Sequence, residues 1–199
     1  MKKKLVLFDF DGTITRRDTL LEFLAYYKSP WVFYGGLIIL SPMLLLYKLG
    51  LIRNSRAKEL LVSFFIKGDS VLQFNEAGKR FAEEKMQTLV RTGAIRAIEA
   101  YRSERADMVV VSASAENWVK PWCDQYALQC IATRLETREG KLTGRFEGLN
   151  CFGEEKCTRI SKEFDLQKYD YIIAYGDSRG DHEMLALANE KNYKPFRQS

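Results

Sequence analysis

Leu5-Val6-Leu7-Phe8-Asp9-Phe10-Asp11-Gly12-Thr13 runs from an unbroken apolar segment straight into two acids and a turn. A short apolar run bounded by turn residues reads as a strand buried on both faces, the pattern of a parallel sheet. Alternation along that strand projects Asp9 and Asp11 toward one side and turns Phe10 away. Burying like charges within a few ångströms costs free energy unless a cation, a shared proton or a basic side chain compensates. A metal site with a carboxylate nucleophile meets that need. Gly12 permits a sharp turn that lets backbone approach a ligand, and Thr13 offers the ligand a hydroxyl and an amide. The alternative reading is a strand closed by an Asx-type turn, with no chemistry attached.

Similar runs recur at Met108-Val109-Val110-Val111, Cys130-Ile131-Ala132 and Tyr171-Ile172-Ile173-Ala174-Tyr175. Separated by amphipathic stretches, they predict an α/β fold, a Rossmann-like doubly wound parallel sheet between two helical layers. Leu135-Glu136-Thr137 and Lys141-Leu142-Thr143 flank a glycine turn and predict a small hairpin. Tyr193-Lys194-Pro195-Phe196 reads as an edge strand, because Pro195 excludes a central one. Ligands of such sheets gather at the carboxyl ends of the strands. Asp9 and Asp11, Ser112, and Gly176-Asp177-Ser178-Arg179-Gly180-Asp181 all fall at such ends.

The chain divides into a sheet core, residues 1–18 and 91–199, and a helical insertion, residues 19–90. After Ser55 the spacing sets Leu60, Leu61, Phe64 and Phe65 on one helix side. An insertion that enters directly after a catalytic turn is placed to act as a lid.

With 199 residues, 46% hydrophobic and 29% charged, the chain has the size and composition of a globular domain with an insert. Its excess of 31 Lys and Arg over 26 Asp and Glu, a net +5, suits an anionic substrate or an anionic membrane surface. No basic stripe with interleaved aromatics marks a nucleic-acid surface, so nucleic acid is not expected as a partner. Lys2-Lys3-Lys4 imitates a signal peptide, but Asp9 stops the apolar stretch behind it. Cys123, Cys130, Cys151 and Cys157 form no Cys-x-x-Cys pair. Together with the lone His182 they give no zinc spacing, and reduced thiols in the cytoplasm are the expectation.

The stretch bounded by Trp31 and Tyr47 carries no charge. It sits at the lower limit for crossing a bilayer, where about 20 residues are usual, and Gly35, Gly36 and Pro42 interrupt it. A single crossing would put Asp9 and Ser112 on opposite sides of the membrane. Three placements stay open: a buried helix pair, an interfacial or re-entrant hairpin turning near Ser41-Pro42, and a true span. Lys28, Lys48 and Arg53 flank the stretch and suit anionic headgroups.

Four motifs in order carry a resemblance. Asp9-Phe10-Asp11-Gly12-Thr13, Ser112-Ala113-Ser114 after a strand, Lys156 opening a helix, and Gly176 to Asp181 after the last main strand are similar to the motifs of haloacid dehalogenase superfamily phosphatases. Within them the chain resembles the phosphoserine-phosphatase-like branch, subfamily IB. The resemblance implies a Mg²⁺-dependent phosphatase acting through an aspartyl-phosphate. It makes Asp9 the nucleophile, Asp11 the general acid and base, Ser112 and the amide of Ala113 holders of a phosphoryl oxygen, and Lys156 the cation that neutralises phosphate and orients Asp9. It gives Mg²⁺ the ligands Asp9, the backbone carbonyl of Asp11, and Asp177, with Asp181 as outer support. Thr13, Asp18, Arg53 and Arg56 are expected on the substrate side.

Three departures leave the substrate open: Ala113-Ser114 where the branch carries Gly-Gly, Gly180 where it carries Asn, and Asp18 where it carries an amine-binding glutamate. The stretch after Trp31, and Asn150-Cys151-Phe152-Gly153 before Lys156, resemble a sub-branch that includes phosphatidylglycerophosphate phosphatases. A phosphorylated small molecule or a phospholipid headgroup is therefore the expected partner, with peripheral membrane contact through the apolar stretch. The competing classes are a phosphate-accepting receiver domain, whose acceptor lies on a later strand, and an inert membrane-peripheral protein on the same scaffold. Dehalogenation needs no acid at Asp11, and the glycine pattern of a P-loop is missing before Lys141.

Overall fold

The computed structural model describes residues 3–197. The chain enters through β1 (Lys4–Phe8), turns at residues 10–14, and makes five successive helices, α1 (Thr19–Tyr27), α2 (Pro30–Lys48), α3 (Asn54–Ile66), α4 (Val71–Glu84) and α5 (Met86–Leu89). It returns through α6 (Thr92–Ser103), β2 (Asp107–Ala115), α7 (Glu116–Gln125) and β3 (Gln129–Thr133). A hairpin of β4 (Leu135–Arg138) and β5 (Lys141–Phe146) follows. The chain closes with α8 (Glu154–Glu163), β6 (Tyr171–Gly176), α9 (His182–Ala186) and β7 (Glu190–Tyr193).

The main sheet has the order β3-β2-β1-β6-β7, and its neighbours are all parallel. β1 lies at its centre, with Leu5 opposite Asp107 on one side and Ile172 on the other. Its alternate residues serve two cores, as the period of a strand requires. Val6 and Phe8 join Val110, Phe10, Trp118 and Trp122, whereas Leu5 and Leu7 join Val109, Val111, Ile160 and Met184. Helices therefore cover both faces, as the apolar runs predict. The edge strand differs in position: β7 ends at Tyr193, two residues before Pro195, because a proline lacks the amide that the ladder with β6 needs.

The insertion leaves and rejoins the sheet at one place. Thr15 bridges Val90, the Arg16 amide donates to the Leu89 carbonyl (2.8 Å), and the Arg91 amide donates to the Ile14 carbonyl (2.8 Å). α1 starts where the Asp18 carboxylate accepts the Leu20 amide (2.9 Å), an N-cap that satisfies an otherwise orphaned donor. It buries Phe23 against Trp118 of α7 at 4.5 Å and edge-on against Phe74 and Phe81 of α4. Rings buried this way contribute about 1.5–3 kcal/mol each. The hairpin ties to the insertion from the other side, since the Gly68 amide donates to Leu142 (2.8 Å) and the Leu142 amide donates to Asp69 (2.9 Å).

The apolar stretch is neither a buried helix pair nor a hairpin. It is one continuous helix, α2, with Pro42 inside it. Ser41, the residue before this proline, returns its hydroxyl to the Ile38 carbonyl (2.7 Å). Only Phe33 and Gly36 of α2 are fully buried, against the Phe65 ring of α3. The α3 stripe also differs from expectation: Ala57, Leu61, Val62, Phe65 and Ile66 are buried, whereas Phe64 is exposed.

Candidate active site

β1 ends at Phe8, and the Asp9 amide still donates to the Tyr175 carbonyl of β6 (2.8 Å). That anchor holds the Asp9 side chain at the mouth of the sheet. Phe10 turns into the core against Trp122, and Asp11 comes back toward the mouth. Gly12 then takes φ +80°, a left-handed conformation that an L side chain rarely adopts. A Cβ on Gly12 would also stand 2.4 Å from Asp177 Oδ2. Gly12 thus lets the loop after β1 and the loop after β6 meet.

Lys156, from the first turn of α8, is almost completely buried and reaches three acceptors: Asp9 Oδ1 (2.6 Å), Asp181 Oδ1 (2.7 Å) and the Val111 carbonyl (2.7 Å). Each ammonium hydrogen has a partner, which a buried cation needs. Burial works against its charge, but Asp9 and Asp181 outweigh burial and push its pKa up. Burial dominates at Asp9 and lifts its carboxyl to about 7 against the pull of Lys156. Thr13 Oγ1 donates to the second Asp9 oxygen (2.9 Å).

Asp11 keeps different company. Its Oδ1 accepts from the Thr19 amide (2.7 Å) and hydroxyl (2.6 Å), and its Oδ2 accepts from the Ser114 hydroxyl (2.5 Å). Trp118 Nε1 in turn donates to Thr19 Oγ1 (3.0 Å). Burial, then the nearby Asp18 carboxylate, raises the Asp11 pKa. Two acids from one loop are thereby placed in unlike surroundings, one beside a lysine and one beside hydroxyls.

Asp181 accepts from the Ser178 amide (2.9 Å), the Ser178 hydroxyl (2.8 Å) and the Asp177 amide (3.1 Å). Burial opposes its charge, yet Lys156 and these donors hold its carboxyl below the usual range. Burial and then Asp181 raise the pKa of Asp177, against Arg197, which donates to Asp177 Oδ2 (2.9 Å). Asp9, Asp177 and Asp181 each bring a carboxylate oxygen within 4.8 Å of the others. Such a set of hard oxygen donors suits Mg²⁺ or another hard divalent cation. The Asp11 side chain is engaged elsewhere and lies outside this group.

A cavity of about 160 Å³ opens on these residues and is lined by Asp9, Asp11, Asp18, Lys58, Ala113, Phe152, Lys156, Ser178 and Asp181. Ala113 and Asp18, expected on the substrate side, line this cavity. Ser112 is fully buried inside β2, and its hydroxyl accepts the Ser114 amide (3.0 Å). Arg53 and Arg56 do not reach the cavity. Arg53 is exposed just before α3, and Arg56, one turn on, pairs with Glu59 (2.8 Å) on the outer face. The cation the insertion does send in is Lys58, 3.5 Å from Asp18 Oδ2. Burial opposes its charge, and Asp18, then Asp11 and Asp9, raise its pKa.

Lys58, Ser114, Thr19 and Phe152 are the site residues that the sequence reading missed. Ser114 had a signal, because period two places it on the same side as Ser112. Lys58 had none beyond its charge, since its direction depends on how α3 packs. Phe152 explains a departure: a Cβ on Gly180 would stand 2.3 Å from its ring, so this site trades a side chain at 180 for an aromatic wall.

Comparison with known proteins shows the family and the fold. Protein CicA of Caulobacter vibrioides is 37% identical over 198 residues, 97% of this chain and 86% of that protein. A Bordetella pertussis Tohama I protein of unknown function superposes with a TM-score of 0.81 at 21% identity, over 94% of this chain and 88% of the other. A phosphoserine phosphatase solved as a phospho-aspartyl intermediate analogue superposes with a TM-score of 0.64 at 26% identity, over 96% of this chain and 86% of that one. The haloacid dehalogenase-like hydrolase family matches residues 6–186, which include the Asp9 loop, Lys156 and the Asp177 loop. The chain belongs to the haloacid dehalogenase-like hydrolases.

Proposed function

We propose that the protein is a phosphoric monoester hydrolase of the phosphoserine-phosphatase-like branch, subfamily IB, working through an aspartyl-phosphate on Asp9. The carrying observation is the unlike placement of the two acids: Asp9 beside Lys156, Asp11 beside Thr19 and Ser114. In the first step an Asp9 oxygen attacks phosphorus and the bond to the ester oxygen breaks. That oxygen leaves with its electron pair and takes the Asp11 proton. In the second step a water gives its proton to Asp11 and attacks the phosphoryl group, so that the bond to Asp9 breaks and inorganic phosphate leaves. The Ala113 amide holds a phosphoryl oxygen, Lys156 neutralises phosphate charge and orients Asp9, and Ser112 supports that segment from behind. A Mg²⁺ held by Asp9, the Asp11 carbonyl and Asp177 would neutralise charge between anionic nucleophile and anionic substrate. Burial and the Asp18 carboxylate raise the pKa of Asp11, the direction a general acid needs. Residues 19–90 serve as the cap, with Asp18 and Lys58 facing the substrate.

The substrate is a phosphorylated small molecule or, in a second reading, a phospholipid headgroup. An apolar pocket of about 150 Å³ favours the second: Leu20, Leu21, Leu44, Tyr47, Ala57 and Leu61 line it, and it shares Asp18 and Lys58 with the catalytic cavity. Peripheral membrane contact belongs to that reading. Unpaired cysteines support a cytoplasmic location.

Phosphate release with Mg²⁺ tests both, comparing phosphoserine with phosphatidylglycerophosphate in mixed micelles. Asp9→Asn is expected to abolish turnover on every ester while keeping the wild-type circular dichroism spectrum. Turnover retained in that variant would sink the mechanism, and inertness of the wild type across esters would favour a binding protein on this scaffold.

A further inference from the structure

Helix α2 is apolar on every side, but the protein covers only one of them. An 18-residue window of α2 has a mean hydropathy of 1.6, and 11% of that window is buried. Phe33 and Gly36 pack on α3, whereas on the opposite side Trp31 is 90% exposed, Ile38 72% and Ile39 66%. Tyr34, Leu45 and Leu46 continue that exposed side at helical spacing. A helix that is hydrophobic all round belongs in a core or in lipid, and no core covers this face. We infer that α2 lies in the plane of an anionic bilayer surface and docks the protein there through the face of Trp31, Tyr34, Ile38, Ile39, Leu45 and Leu46.

Charge selects the partner. Residues 23–58 contain no Asp or Glu and five basic residues, of which Lys28, Arg56 and Lys58 pair with Asp69, Glu59 and Asp18, while Lys48 and Arg53 face outward. Lys48 and Arg53 are exposed at and just beyond the C-terminal end of α2, where anionic headgroups attract cations. Trp31 and Tyr34, at its other end, combine an apolar ring with a polar tip and suit the headgroup boundary.

A single span is excluded by side chains that meet across the helix. Asp18 precedes α2 and Lys58 follows it, yet they form an ion pair at 3.5 Å. Lys28 also precedes it and pairs with Asp69 beyond α3 at 2.7 Å. Both ends of α2 therefore stay on one side of the bilayer, and the helix lies flat. It also supplies Leu44 and Tyr47 to the apolar pocket next to the catalytic cavity, so a docked α2 sets that pocket beside lipid. The inference rests on the exposed helix and not on hydrolysis, and its test needs no turnover.

The full chain is centrifuged with phosphatidylcholine vesicles, with and without phosphatidylglycerol, while Trp31 emission is followed. Trp118 and Trp122 are buried, so a change reports on Trp31. Wild type is expected to pellet with the anionic vesicles, and its emission is expected to shift to the blue, a shift that Trp31→Phe removes. The exposed pair Ile38→Asn/Leu45→Asn, with an unchanged circular dichroism spectrum, is expected to bind about tenfold more weakly, and Lys48→Glu/Arg53→Glu severalfold more weakly. Asp9→Asn is expected to bind as wild type does, so loss of the phosphatase reading leaves the docking intact. Failure of wild type to pellet, or equal pelleting of Ile38→Asn/Leu45→Asn, would overturn the inference. A concentration-dependent dimer that this pair dissolves would also overturn it, by assigning the face to a second copy.

Discussion

Asp9 and Asp11 sit two positions apart on one loop and, among the described residues, share no hydrogen-bond partner, so their environments differ. Asp9 faces Lys156 and the acids that suit a cation. Asp11 faces three donors that orient it without neutralising it. Asp11→Asn keeps the shape of the side chain and removes its titrating carboxyl. It is expected to cut turnover of an alkyl phosphate by about 10²–10⁴. The loss should be much smaller for an aryl phosphate, whose leaving group needs less help; equal losses in steady-state assays would remove Asp11 from acid catalysis. Thr19→Val deletes one of those donors and is expected to lower kcat with little change in KM, because it positions Asp11 and does not touch substrate. None of these partners follows from the spacing of the acids, though the acids themselves do.

At the scale of elements, the turn after β1 and the helix α3 decide what the cavity holds. Gly12→Ala would force a Cβ against Asp177 from a strained φ. It is expected to weaken Mg²⁺ binding, read by calorimetry, by at least tenfold while the sheet still folds. α3 presents Lys58 inward and Arg53 and Arg56 outward. Lys58→Ala is expected to raise KM for a phosphate ester about tenfold with a smaller effect on kcat, whereas Arg56→Ala should leave both unchanged. The basic cluster at the start of α3 was legible in the sequence, but its inward member was not. A helix period groups residues by face, and only packing says which face meets the site.

For the whole molecule, the insertion is held at the Thr15–Val90 neck, through the hairpin and by the packing of Phe23 on Trp118, and the fold buries the charges of Asp9, Lys156 and Asp181. Stability should then respond to pH and cation together. Asp9 folds with its pKa raised from 3.8 to about 7, so without metal the folded state holds a proton that the unfolded chain has lost. In EDTA the melting temperature is expected to fall as pH rises from about 4 to about 7, since stability drops with pH wherever the native state binds more protons. Asp11 and Asp177, also raised, act in the same direction. Mg²⁺ at about 100 times its Kd is expected to restore about 5–10 °C at pH 7 and little at pH 4. Differential scanning calorimetry across that window, with Asp9→Asn flattening the slope, checks the assignment.

By itself the sequence determined the parallel sheet, because continuous apolar runs have no other economical burial, and the acidic loops, because turns at strand ends are local. The motif lysine was also legible from its place before the last main strand. Tertiary structure alone decided that Asp11 is held by Thr19 and Ser114, that Lys58 and not Arg53 or Arg56 enters the cavity, and that Phe152 occupies the space over Gly180. It also decided that the apolar stretch is a single helix with one side uncovered. The physical reason is common to all of these. Hydrophobic and turn patterns specify local conformation and which surface is to be buried. The identity of the neighbour is set by contacts between residues far apart in the chain.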